Sequence, residues 1–161
     1  NRSRFLKGEV DKYTWVSLGS SYQPSDMLAA YLLAQLERRS KINEKRLLLW
    51  NRYMDGLGAW AAENSVKLPT VPDGCVHSSH VFYLLMPDQA SRDNLIVKLR
   101  KKGILAVFHY QPLHLSGMIR ENFECPVTES VASRVVRLPL YFELSEDEQE
   151  SVIREVRNLE Q

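Results

Sequence analysis

The stretch from Gly19 to Glu37 constrains the fold of this chain most strongly, because a short polar loop there leads through Pro24 into an apolar helix. Ser25 or Asp26 is predicted to cap this helix, since a short oxygen-bearing side chain satisfies backbone N–H groups of the first turn. A helix that is apolar on every side is normally buried, so this one needs a surface that covers it. Its side chains at helical spacing are Leu28, Tyr31, Leu32, Gln35 and Leu36, with Ala29, Ala30 and Ala34 between them.

Length and charge are typical of a single globular domain, since 161 residues are enough for one real core. The 21 Lys and Arg are spread among 20 Asp and Glu. That balance argues against nucleic-acid binding, which needs a concentrated basic face.

The sequence has neither an apolar segment long enough to span a membrane nor a signal peptide, so we expect a cytoplasmic protein. Cys75 and Cys125 do not make a disulfide framework, and both are expected to be reduced thiols.

Residues 1 to 24 carry apolar side chains that follow neither a helical nor a strand period. These side chains need a surface to lie on, and two interpretations remain open. The segment is either a strap across this domain's own core or a strap between this domain and another one. On either interpretation, residues 25–161 form the compact domain.

The order of predicted elements after the opening helix is helix, strand, helix, strand, loop, strand, helix. The second helix is predicted over residues 42–57, ending near Gly56 or Gly58. The strands are predicted over residues 76–86, 104–110 and 135–140. Ser91 is expected to cap the middle helix, which Gly103 ends, and Ser145 with Glu148 forms a capping box for the last one. This order predicts an α+β fold with about three mostly antiparallel strands and helices on one side.

A zinc site is the first chemical possibility, because Cys75, His77 and His80 carry zinc-ligand groups. Side chains alternate along a strand, so His77 and His80 would point to opposite faces and would not chelate one ion. A fourth ligand is also not evident nearby. We therefore predict structural roles for these residues and no metal.

The turn from His109 to His114 is the stronger candidate site, because it follows a predicted strand and contains Pro112. Loops that follow strands often carry binding residues. Two imidazoles with a phenol between them suit an anionic or polyhydroxyl ligand. Chemistry alone leaves the alternative open that His109 is a hydrogen-bonded core residue and His114 a surface residue.

Four ordered motifs resemble the DegT/DnrJ/EryC1/StrS sugar aminotransferases, which are fold-type I enzymes that use pyridoxal phosphate. The motifs are GSSYQPSDMLAAYLLAQLE, a downstream helix with Lys45, Arg46, Trp50 and Tyr53, the HYQPLH turn, and RLPLYFELSEDEQ near the C-terminus. Each motif is weak by itself, but their order and spacing match over essentially the whole chain. The resemblance implies amino transfer from glutamate to C4 of dTDP-4-keto-6-deoxyglucose by a homodimeric enzyme.

The resemblance also implies that this chain is the small C-terminal domain of such an enzyme. Family members are more than twice as long, and their large domain carries the Schiff-base lysine and most contacts to the cofactor phosphate. No lysine in this chain stands in that context, so the chain alone is expected to be inactive.

The resemblance assigns site residues at two places in the chain. The loop containing Ser20, Ser21 and Tyr22 would reach the cofactor phosphate of the partner subunit. Ser21 stands where the family commonly has Asn, and Gln23 replaces Arg, although serine hydroxyls can still donate to a phosphate. Substrate binding is assigned to His109 and His114 near the sugar nucleotide, and to Tyr13 and Trp15 as aromatic surfaces for a sugar ring or thymine.

Two other functional classes remain as alternatives. One is a free-standing ligand-binding or regulatory module in which the His109 to His114 turn binds a small anion. The other is a structural dimerisation domain that uses the apolar helix and binds no ligand.

Overall fold

The computed structural model describes residues 4, 6–9, 22–115 and 124–158. The chain divides into two compact units, residues 1–37 and residues 38–161. Helix α1, Asp26–Glu37, belongs to the first unit. The second unit contains α2 (Arg39–Glu63), β1 (Phe82–Leu85), α3 (Gln89–Lys101), a 3-10 turn (Leu113–Leu115), α4 (Pro126–Arg134), β2 (Val135–Leu138) and α5 (Glu146–Arg157). Within the described residues, no helix is both long and apolar enough to cross a membrane.

Helix α1 begins at the loop after Pro24, as the sequence predicts. The backbone N–H of Leu28 donates to Ser25 Oγ at 3.3 Å, so Ser25 is the capping residue of the two candidates. None of its twelve residues is buried. Six large apolar side chains of α1 are exposed: Met27, Leu28, Tyr31, Leu32, Leu33 and Leu36. What covers this helix stays a prediction.

Helix α2 is longer than the sequence predicts. The predicted end near Gly56 or Gly58 is wrong, because the helix continues through both glycines to Glu63. Gly56 is accommodated by tertiary packing: a Cβ built on it would lie 2.8 Å from Ile153 Cδ1 of α5. Glycine lowers helix propensity by only about 1 kcal/mol, which packing of the buried face overrides.

The sheet has two antiparallel strands in the described residues, with Phe82 paired to Leu138 and Leu85 to Val135. Single bridges extend it on either side, from Lys67 to Leu85 and from Val107 to Arg137. The predicted strand over residues 104–110 is therefore wrong in extent, because only Val107 pairs with β2. The predicted strand over residues 76–86 is shortened to Phe82–Leu85.

The core of the second unit lies where α2, α3 and α5 contribute side chains against the strands. Its largest fully buried members include Tyr53, Phe82, Leu95 and Ile153. Two long-range hydrogen bonds cross this core. The Tyr53 hydroxyl donates to the Pro139 carbonyl at 2.8 Å, and Gln149 Nε2 donates to the Leu49 carbonyl at 2.6 Å.

The ends of α3 and α5 follow the sequence with one correction. Asp88, not Ser91, caps α3, and its side chain accepts from the Ser91 N–H at 2.7 Å. Gly103 has a φ of +76°, and the N–H of Ile104 donates to the Leu99 carbonyl, which is the Schellman end that a glycine permits. The predicted capping box at α5 is confirmed.

Candidate functional site

The segment from Ile104 to Gln111 leaves α3 and runs past β2. Backbone hydrogen bonds of 3.1 and 2.7 Å between Val107 and Arg137 anchor it. Ala106 just before this anchor is buried, whereas residues 108–111 after it are exposed. The aromatic stretch of residues 108–110 therefore lies at the surface, directly after the residue that is hydrogen-bonded to β2.

His109 is held by Arg137 of β2. Arg137 Nη1 lies 2.6 Å from His109 Nδ1, and because a guanidinium can only donate, Nδ1 is the acceptor. The ring proton then resides on Nε2, which is left to donate to a ligand. The His109 ring also stacks on Tyr110, with centroids 4.4 Å apart and planes within 6°. Tyr110 is 74% exposed, so the pair offers a flat surface with a polar edge.

His114 is held by a different element. Its Nε2 lies 2.8 Å from Oε1 of Glu129 on α4, and its side chain is only 10% exposed. The same Oε1 accepts the backbone N–H of Cys125 at 3.3 Å. The hydrogen bond from His114 is the main reason that the pKa of Glu129 lies below its ordinary value. His109 and His114 are thus fixed by β2 and α4 respectively, and only His109 lies on an exposed surface.

Of the predicted cofactor-binding residues, the structure describes one. Tyr22 lies in the first unit and is 90% exposed. Ser20 and Ser21 lie outside the described residues, as do the predicted substrate-binding residues Tyr13 and Trp15. Their assignments therefore stay predictions.

The residues considered for zinc have other contacts. The His77 ring lies 4.4 Å from the Trp50 ring, and His80 Nδ1 lies 2.6 Å from Ser78 Oγ. Both cysteines are free. In the parts of the chain that the structure covers, no three His, Cys, Asp or Glu side chains converge as metal ligands would.

Sequence reasoning missed Arg92, Glu129 and Arg137. Arg92 is 6% exposed on α3, with its guanidinium 4.8 Å from the centre of the Phe108 ring. One signal was available, because Arg92 precedes the core residue Leu95 by three positions and so lies on the apolar face of the helix. The contact between Glu129 and His114 joins residues 15 positions apart, and no local pattern predicts it.

Comparison with known proteins identifies the relatives of this chain. It matches the DegT/DnrJ/EryC1/StrS aminotransferase family over residues 3–157. Similar solved structures include the aminotransferase TlmJ from Streptoalloteichus hindustanus (28% identity, TM-score 0.80), covering 89% of this chain and 38% of TlmJ. DesV from S. venezuelae, solved in complex with a ketimine intermediate, has 27% identity and a TM-score of 0.77. The match covers 97% of this chain and 42% of DesV.

A third similar structure is a DegT DnrJ EryC1 StrS aminotransferase from Brucella abortus, with 29% identity and a TM-score of 0.74. The match covers 97% of this chain and 41% of that one. The chain thus spans about two fifths of the length of these three relatives. The family match extends over nearly the whole sequence and agrees with the folds of the relatives, so this chain belongs to the DegT/DnrJ/EryC1/StrS aminotransferase family.

Proposed function

We propose that this chain is the C-terminal part of a pyridoxal-phosphate-dependent sugar-nucleotide aminotransferase. The family match over residues 3–157 carries the proposal. The coverage of the solved relatives supports a parent protein longer than this chain, since the chain corresponds to about two fifths of each. The remaining length is the expected place of a large cofactor-binding domain.

The proposed reaction moves an amino group from glutamate to C4 of dTDP-4-keto-6-deoxyglucose. This is the activity of dTDP-4-amino-4,6-dideoxygalactose transaminase in enterobacterial common antigen synthesis, which residues 1–22 resemble. The stacked rings of His109 and Tyr110 support a sugar-nucleotide ligand, because an exposed flat surface with a free N–H suits a sugar ring or a base.

Pyridoxal phosphate would supply an electron sink for the carbanion that amino transfer requires. A lysine that holds it needs a desolvated or cationic setting that activates the amine. The described lysines instead lie on exposed or half-buried surface, and Lys102, for example, pairs with Glu155 at 3.6 Å. We therefore propose that residues preceding this chain hold the cofactor, with Ser20, Ser21 and Tyr22 reaching its phosphate from the neighbouring subunit.

A homodimer is the proposed state of the intact enzyme. The six exposed apolar side chains of α1 support an additional covering surface, since so large an apolar helix face is costly to leave in water. The large domain and the partner subunit would supply that surface.

An amino-transfer assay tests the proposal. The intact protein, loaded with pyridoxal phosphate, is incubated with dTDP-4-keto-6-deoxyglucose and 15N-glutamate, and the product is analysed by mass spectrometry. We expect a 15N-labelled dTDP-4-amino sugar and 2-oxoglutarate, and neither product from the 161-residue chain alone. Absence of amination by the intact protein, or turnover by the chain alone, would overturn the proposal.

A further inference from the structure

A cleft of about 220 Å³ lies beside the start of α3, within the second unit. Residues 108–112 and α4 form its other walls. Its volume is below the roughly 300–1,000 Å³ of pockets that take drug-sized ligands, so it suits a small molecule. The polar side chains that line it are Gln89, Arg92, Tyr110, Gln111, Glu129 and Ser133.

Arg92 supplies a buried positive charge to this cleft. The residue is 94% buried, and its Nε has no hydrogen-bond partner within the described part of the chain. Asp93 Oδ1 lies 2.8 Å from that nitrogen but is not aligned as an acceptor, and the Asp93 side chain is 56% exposed. The face of the guanidinium is occupied by Phe108, which leaves its edge for a ligand. A buried planar guanidinium with a free edge is suited to binding a carboxylate, which can accept two parallel N–H hydrogen bonds.

Glu129 supplies a negative charge to the same cleft. Its Oε1 accepts from both His114 Nε2 and the Cys125 N–H, whereas Oε2 accepts no hydrogen bond from the described residues. Those bonds hold the pKa of the carboxyl group below its ordinary value, so Glu129 is ionised at neutral pH. The cleft is therefore lined both by a buried guanidinium and by a carboxylate oxygen with free lone pairs.

We propose that this cleft binds a small α-amino acid in its zwitterionic form, with Arg92 binding the carboxylate and Glu129 Oε2 binding the ammonium group. Gln89, Gln111 and Ser133 provide uncharged hydrogen-bonding groups for the side chain of the ligand. A simple anion would be repelled by the Glu129 carboxylate, and a simple cation would be repelled by the Arg92 guanidinium, so a ligand that carries both charges suits the cleft best. The inference does not depend on the proposed function, because binding is measurable without any reaction.

Isothermal titration of the purified chain tests the inference with three matched ligands. L-glutamine carries both charges, 4-carbamoylbutanoate lacks the amino group, and 4-aminobutanamide lacks the carboxylate. We expect L-glutamine to bind at least tenfold more tightly than either analogue. Equal binding of L-glutamine and 4-carbamoylbutanoate would show a simple anion site and overturn the inference, as would no binding of L-glutamine at millimolar concentration.

Two variants assign the ends of the ligand. Arg92→Lys keeps the positive charge but lacks the planar guanidinium that can donate two parallel hydrogen bonds. We therefore expect at least a tenfold loss of affinity for L-glutamine and for 4-carbamoylbutanoate. Glu129→Gln removes the negative charge that would bind the ammonium group. The affinity for L-glutamine should therefore fall about tenfold, while the affinity for 4-carbamoylbutanoate should be unchanged or higher. The exposed substitution Arg157→Lys is the matched control and should alter neither affinity.

A purely structural role for these residues gives a different pattern. If Glu129→Gln weakened the binding of both ligands equally, Glu129 would not contact the ammonium group and the inference would be wrong. Near-ultraviolet circular dichroism from Trp50 and Trp60, both in the core, verifies folding of each variant. Should Arg92→Lys fail that check, the opposite responses of the two ligands to Glu129→Gln still decide the outcome.

Discussion

Gly56 of α2 packs directly against Ile153 of α5. A Cβ on Gly56 would lie 2.8 Å from Ile153 Cδ1 and 3.2 Å from its Cγ2. Ile153 is 1% exposed and belongs to the central core, so it has little room to move. The absence of a side chain at position 56 therefore sets how closely the two helices approach.

Gly56→Ala should destabilise the chain by about 1–3 kcal/mol, the usual cost of inserting a methyl group into a packed core. The gain in helix propensity, up to about 1 kcal/mol, offsets part of this cost. Gly58→Ala is the matched control, because a Cβ at position 58 meets nothing within 4 Å and should stabilise the helix. Urea unfolding measures both variants.

Ile153→Val, which deletes the Cδ1 atom, provides the second arm of this experiment. In the Ile153→Val background, Gly56→Ala should cost less than in the wild-type chain, since the 2.8 Å contact is gone. Equal costs in both backgrounds would contradict the packing explanation.

Introducing a charge at Gln149 should destabilise the chain more than removing the hydrogen bond of its side chain. It is fully buried, its Nε2 donates to the Leu49 carbonyl, and its Oε1 has no partner among the described residues. Gln149→Met removes both groups at similar volume and should change stability by less than about 1.5 kcal/mol. Gln149→Glu buries an uncompensated carboxylate and should cost about 3–5 kcal/mol at pH 7.

The cost of Gln149→Glu should depend on pH. Burial would raise the folded-state pKa of the new carboxyl group above the unfolded value of about 4.3. Both states are protonated below that value, so the cost should decline as the pH falls toward 4. A cost that is the same at pH 4 and pH 7 would show that the carboxylate escapes to water.

Local patterns predicted the C-terminal end of α3 and the N-terminal end of α5 correctly, because the interactions there span few residues. Ser145 and Glu148 satisfy each other within one turn, and Gly103 ends α3 through its own backbone conformation. The buried face of α5 also follows a local pattern, since Val152, Ile153 and Val156 recur at helical spacing and are all buried.

Interactions between distant segments account for the errors at the end of α2 and in the predicted strand over residues 104–110. The helix through Gly56 depends on contact with α5, and the segment near Val107 pairs with β2 only once because residues 108–111 turn outward. The turn containing His109 was predicted as a candidate site from the sequence. Its partner Arg137 was not, because the two lie 28 positions apart and only the fold brings them together.

Acid should weaken the contribution of Glu129 to stability. Its pKa is lowered in the folded state, first by the His114 hydrogen bond and then by the Cys125 backbone N–H. Such a group contributes stability above the unfolded pKa, and that contribution is lost as the pH falls through the folded value. The stability difference between wild type and Glu129→Gln should therefore diminish as the pH is lowered below about 4.5, the ordinary value for this carboxyl group.

A double-mutant cycle with His114→Ala identifies the cause of that pH dependence. When His114 is absent, Glu129→Gln should produce a smaller pH-dependent difference in chemical denaturation, because the main cause of the lowered pKa is gone. An undiminished difference would assign the effect to the backbone N–H instead.

His109→Ala should weaken sugar-nucleotide binding by the intact enzyme. Loss of the Nε2 donor and of the ring stacked on Tyr110 should raise KM about three- to tenfold, as expected for a hydrogen bond worth roughly 0.5–1.5 kcal/mol. The kcat should change little, because the residue is proposed to bind and not to transfer a proton. An unchanged KM in steady-state assays would remove His109 from the proposed substrate site.

The Schiff-base lysine of the intact enzyme is proposed to lie in a domain that precedes this chain. Borohydride reduction of the intact protein with bound pyridoxal phosphate, followed by peptide mapping, tests it most directly. We expect one stoichiometric pyridoxyl-lysine, in a peptide that precedes Asn1. A stoichiometric pyridoxyl group on any lysine of this chain would contradict it.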